Sequence, residues 1–119
     1  MDKSRAIAGF AALSQETRLA IVRLLVRAGP DGVPAGDVAQ AVKVSASNVS
    51  FHLKELEHAG LIEARREARS IIYNANYDTL RDLIGFLMKD CCGGHPEICS
   101  PVLAANCRPP PKARKRAHV

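Results

Sequence analysis

Residues 45–75 read SASNVSFHLKELEHAGLIEARREARSIIYNA, a helix signal followed at once by a hairpin signal. Ser45 is a favoured N-cap residue, and the helix it opens is expected to run to about His58. Val49, Leu53 and Leu56 supply a buried stripe at helical spacing, while Ser47, Asn48, Ser50 and Lys54 fall on other faces. Ala59-Gly60 stops the helix, Gly60 suiting the left-handed position beyond its C-terminus. Leu61 to Arg66 and Arg69 to Ala75 are β-prone and are joined by Glu67-Ala68, which predicts a hairpin. The joint lacks the Gly or Asn that a two-residue loop prefers, so a longer loop is expected.

Towards the N-terminus the same periodicity predicts three more helices. Lys3 to Leu13 forms the first, with Ile7, Phe10 and Ala11 at helical spacing. Ser14 is the expected N-cap of the second, whose stripe is Ile21, Leu24, Leu25 and Ala28. Gly29-Pro30-Asp31-Gly32 ends it, and a short third helix is expected from about Pro34 to Ala41. Beyond the hairpin, Asn76 caps a fifth helix with Leu80, Leu83, Ile84, Leu87 and Met88 on one stripe. No internal repeat is present. The expected fold is mainly α with a small β-hairpin.

Composition agrees with packed helices. The 119 residues hold no Trp, two Tyr and three Phe, so Leu, Ile, Val and Ala must fill the core. No apolar run approaches the roughly 20 residues of a membrane helix, so no membrane partner is expected. Lys3 and Arg5 before Ala6 to Leu13 resemble a very short signal peptide, but the stretch continues into another amphipathic helix without a cleavage site. A cytoplasmic chain with reduced cysteines is therefore expected. The formal charge of +5 equals the contribution of Arg108, Lys112, Arg114, Lys115 and Arg116 in the tail. A nucleic-acid surface on the folded part must then be a local patch.

Two short helices followed by a basic hairpin make a winged helix-turn-helix. Ser47, Asn48, Ser50 and His52 can donate to and accept from bases and phosphates. Arg65, Arg66 and Arg69 stand around the hairpin tip, where guanidinium groups can pair with phosphate. Ser45 fits better as a cap than as a base reader, and Glu63 and Glu67 partly offset the arginines.

The stretch from Ala46 to Ile62 resembles the recognition helix and following turn of the ArsR/SmtB family of metal-responsive repressors. Leu13 to Ile21 is similar to the start of that family's second helix, and the match runs in order over about residues 7 to 88. The resemblance implies a homodimer, paired through its first and last helices, that represses by binding a palindromic double-stranded operator. Ile7, Phe10, Leu80, Leu83, Ile84 and Leu87 would then form the dimer seam. Residues 1–90 would be the DNA-binding and dimerisation domain, 91–107 an inducer-binding segment and 108–119 a disordered basic tail rich in proline.

After Asp90 the chain reads CCGGHPEIC over residues 91–99. Trivalent arsenic is thiophilic and takes three thiolates in a pyramid, which suits soft ligands that need no tetrahedral cage. Cys91, Cys92 and Cys99 are the candidate ligands for arsenite as inducer, with Cys107 an accessory thiol; antimonite and methylarsenite are chemically close. Zinc or cadmium is the alternative, although adjacent cysteines fit the usual paired spacing poorly; His95 or Cys107 could complete such a set. The family's cysteine motif on the third helix has no counterpart in Val33 to Ala39. Its Asp/His zinc site on the last helix finds Asp78, Asp82 and Asp90 here but no His. Cysteines after the last helix resemble those of a separate arsenic-responsive group.

An enzyme is not expected. Catalytic thiols are activated at helix N-termini or beside cations, whereas Cys91 and Cys92 follow a helix C-terminus, where the dipole disfavours free thiolates. No phosphate-cradling loop and no Cys-x-x-Cys accompanies them. A thiol redox-sensing regulator stays open as a lesser reading.

Overall fold

The structure is a computed structural model that describes residues 1–89 of the chain. Five helices and three strands follow in the order α1 (Lys3–Leu13), α2 (Glu16–Ala28), β1 (Val33–Pro34), α3 (Ala35–Val42), α4 (Ala46–His58), β2 (Ile62–Glu67), β3 (Ser70–Ala75) and α5 (Tyr77–Met88). Met1–Leu83 forms one compact unit; Ile84 begins a second, described only to residue 89 as the end of α5.

Side-chain caps set most helix starts. The Asp2 carboxylate accepts from the Arg5 N–H, Ser45 Oγ from the Asn48 N–H and Asn76 Oδ1 from the Thr79 N–H. At α2 the expectation changes: Gln15, not Ser14, is the N-cap, its Oε1 accepting from the Arg18 N–H at 2.9 Å. Ser14 instead closes α1, its hydroxyl donating back to the Ala11 carbonyl. A two-residue link, Ser14-Gln15, leaves Ser14 nearer the orphan carbonyls of the first. Pro34, expected within α3, stands just outside as its N-cap.

The core of the first unit is aliphatic, built on Ile21, Leu25, Val38, Val49, Leu53, Leu56, Leu61, Ile62 and Leu83. Val49, Leu53 and Leu56 are buried as their spacing predicts, whereas Ala28, assigned to the α2 stripe, is exposed as the last residue of the helix and Val22 is buried instead. Gly9 of α1 sits against Leu83, where an added Cβ would lie 3.0 Å from the Leu83 methyls.

The hairpin is part of a three-stranded antiparallel sheet of order β1-β3-β2. Val33 pairs with Tyr73 and Pro34 with Ile72, a strand too short to show in sequence. Gly32, at φ +77, makes that pairing possible: a Cβ there would lie 2.7 Å from the Tyr73 carbonyl oxygen. Glu67 pairs with Ser70, so the loop is Ala68-Arg69, two residues rather than the longer loop expected. Ala68 takes φ +56, meeting the turn's backbone demand without glycine.

Candidate nucleic-acid interface

Helix α4 turns one face to the core and the opposite face to solvent. Ser47, Asn48 and Ser50 are exposed, as is Lys54. From Ala46 to Lys54 the helix carries no acid; Glu55 and Glu57 come only in its last two turns. The half that an HTH protein directs at base edges thus offers hydroxyls, an amide and a cation to an anionic partner.

His52 is half-buried at the side of α4, where its Nδ1 accepts a hydrogen bond from Arg18 Nε at 3.1 Å. In the neutral ring this bond places the proton on Nε2, which is left to donate. The same guanidinium lies 5.8 Å from the centre of the Phe51 ring, within cation–π range, and Phe51 meets His52 edge-on at 5.4 Å. Arg18 therefore ties the first turn of α2 to the middle of α4. Neither Arg18 nor Phe51 stood among the candidate residues. Arg18 has no local signal, since its partner is 34 positions away; Phe51 could have been found from its place off the apolar stripe.

The three hairpin arginines separate. Arg65 is engaged from three sides: Nε donates to Glu67 Oε2 at 2.8 Å, Nη1 to Asn74 Oδ1 at 3.1 Å and Nη2 to the Asp31 carbonyl at 2.7 Å. It fastens the hairpin to the turn before β1. Arg66 and Arg69 are exposed, Arg69 in the loop itself. On the neighbouring strand, burial and then the Glu57 carboxylate push the Tyr73 phenol above its ordinary pKa, so it stays a neutral donor.

Of the candidate seam residues, Ile7 is 61 % exposed and Phe10 and Leu80 are half-buried, while Leu83 is buried against Gly9. In the end of α5, Ile84 and Leu87 are exposed. Cys91, Cys92, Cys99 and Cys107 lie outside the described residues, as do Asp90 and the basic tail. Among the described residues no three His, Cys, Asp or Glu side chains are grouped to hold a metal ion, and no helix is long and apolar enough to cross a membrane.

Comparison with known proteins places this geometry. Residues 13–65 match the family model described as a helix-turn-helix domain. The uncharacterised HTH-type transcriptional regulator YceK of Bacillus subtilis (strain 168) is 35 % identical over 79 residues, covering 66 % of this chain and 78 % of that protein. The transcriptional repressor SdpR of the same organism is also 35 % identical over 79 residues, covering 66 % and 84 %. Among solved structures, an ArsR-like transcriptional regulator from Rhodococcus sp. RHA1 superposes with a TM-score of 0.65 at 27 % identity, covering 87 % of this chain and 93 % of that one. The homodimeric winged helix-turn-helix DNA-binding domain of Mb0332 from Mycobacterium bovis gives 0.61 at 25 % identity, covering 77 % and 85 %. Relatives of these kinds are transcriptional regulators, not enzymes. With α3 and α4 as the helix-turn-helix and β2-β3 as the wing, the chain belongs to the ArsR family of winged helix-turn-helix transcriptional regulators.

Proposed function

We propose that the chain is a homodimeric repressor that binds a palindromic operator and leaves it when cysteines beyond α5 capture trivalent arsenic. The observation that carries the DNA-binding half is the exposed polar face of α4, free of acids from Ala46 to Lys54, with Arg66 and Arg69 exposed on the wing. Ser47, Asn48 and Ser50 then meet base edges and phosphates, His52 Nε2 donates from the flank of α4, and the wing arginines neutralise the adjoining backbone. Arg65 acts on DNA through the hairpin's shape. A dimer would set its two reading helices about 34–36 Å apart, the spacing of successive major grooves on one face of the duplex. Ile7, Phe10, Leu80, Ile84 and Leu87 supply the apolar seam, with Leu83 supporting it from the core; SdpR, a repressor, and the homodimeric Mb0332 domain support this reading by likeness.

The inducer half rests on sequence chemistry. Arsenous acid condenses with three thiols, forming three As–S bonds and releasing three waters, and Cys91, Cys92 and Cys99 are the thiols immediately after the seam helix. Antimonite reacts alike, and methylarsenite needs only two thiols. A site of this kind releases DNA only through a difference in affinity between two states of the dimer; a tenfold loss corresponds to about 1.4 kcal/mol of coupling. Zinc or cadmium, taken with His95 or Cys107, is the competing inducer.

Binding of the reduced full-length protein to a duplex enriched from random sequences tests both halves. Arsenite is expected to release the duplex, and serine at Cys91, Cys92 and Cys99 to abolish release while leaving binding intact. Release by zinc or cadmium but not arsenite or antimonite overturns the arsenic assignment. Transcription that rises when the uninduced protein is added to a template carrying the site overturns the assignment as a repressor.

A further inference from the structure

Phe51 stands two positions after Val49 and two before Leu53, and at 100° per residue that puts it on the side of α4 opposite those buried residues. Phe51 is 56 % exposed, although Phe is ordinarily a core residue. One helical turn separates it from Ser47, and three residues separate it from Asn48 and Lys54, so it lies in the middle of the polar face. The ring is also held in place: the Arg18 guanidinium lies 5.8 Å from its centre and His52 meets it edge-on at 5.4 Å. A large apolar group, fixed by two neighbours and ringed by hydrogen-bonding side chains, is arranged to meet a partner that is apolar at one spot and polar around it.

The major groove offers one apolar group on an otherwise polar floor, the 5-methyl of thymine. We infer that Phe51 is a specificity-determining residue that reads a thymine methyl group in each half-site. The inference rests on the DNA-reading role of α4 proposed above and adds what that role leaves open, a base preference. The flanking Ser47, Asn48 and Lys54 are chemically complementary to the base edges and phosphates around such a methyl, and Arg18 brings a further cation to the rim of the ring. Arg18 is then a positioning residue for the ring.

The test uses the full-length protein and the duplex enriched from random sequences, in which each thymine is replaced singly by deoxyuridine. This exchange removes a methyl and keeps every hydrogen-bonding group. At one symmetry-related pair of positions the wild type is expected to lose about fourfold in affinity per methyl. The exposed Phe51→Ala variant, with an unchanged thermal melt, should bind the thymine and deoxyuridine duplexes equally at that pair. Wild-type binding that is insensitive to deoxyuridine at every position overturns the inference and leaves the DNA-reading role standing. So does a Phe51→Ala variant that keeps the full methyl preference. If the wild type enriches no duplex sequence, the DNA-reading role fails and the role of Phe51 fails with it.

Discussion

Arg65 and Arg66 are adjacent, yet one is spent inside the molecule and the other is presented to the outside. Because Arg65 joins Glu67, Asn74 and the Asp31 carbonyl, Arg65→Ala should lower unfolding free energy by about 1 kcal/mol in urea titrations, the partly exposed ion pair adding little. Arg66→Ala should leave that titration unchanged and instead flatten the dependence of log affinity on log salt by about one unit. Backbone conformation gives the opposite sign at two other positions. Ala68 bears a Cβ at φ +56, so Ala68→Gly should raise stability by up to about 1 kcal/mol, less what the freer unfolded chain takes back. Gly32→Ala should cost more than about 2 kcal/mol, because the new Cβ would strike the Tyr73 carbonyl at a φ that alanine disfavours. The chemical identity of these residues was plain in the sequence. Their partners were not: Asp31 and Asn74 reach Arg65 only through the register of β1, β2 and β3.

Among the elements, α4 shows how far local information reaches. Its cap, stripe and stop are all encoded within Ser45 to Gly60, and the helix observed, Ala46–His58, has the expected bounds. Ser45→Ala should cost about 1 kcal/mol by thermal melting, through loss of the bond from the Asn48 N–H. β1 is the reverse case. Two residues, one of them proline, have no periodicity, and Val33–Pro34 becomes a strand only because β3 offers a partner and Gly32 lets the backbones close. The junction of α1 and α2 was ambiguous for a local reason: Ser14 and Gln15 are both able to cap, and which end each serves depends on where the chain reverses. In the proposed reading surface, the exposure of the polar residues Ser47, Asn48 and Ser50 was legible from their type and phase. Arg18 was hidden because its bond to His52 crosses between helices, whereas Phe51 was legible from its phase, which denies the core that its apolar side chain suggests.

For the whole molecule, the proposed dimer makes a simple demand. Leu87→Glu places a charge at an exposed seam position and should shift the protein from dimer to monomer in sedimentation velocity, with little change in helical circular dichroism. Operator affinity should fall with it, since each monomer then holds one half-site alone. The sheet order β1-β3-β2 bears on self-association as well, because it leaves one flank of β2 unpaired among the described residues. Such a flank invites strand addition by another copy, especially where protein crowds onto neighbouring sites on DNA. Four of its six residues, Glu63, Arg65, Arg66 and Glu67, are charged, and a second copy laid alongside would have to strip water from them to zip on. The wing thus guards its own rim against fibre growth while remaining free to approach the nucleic acid.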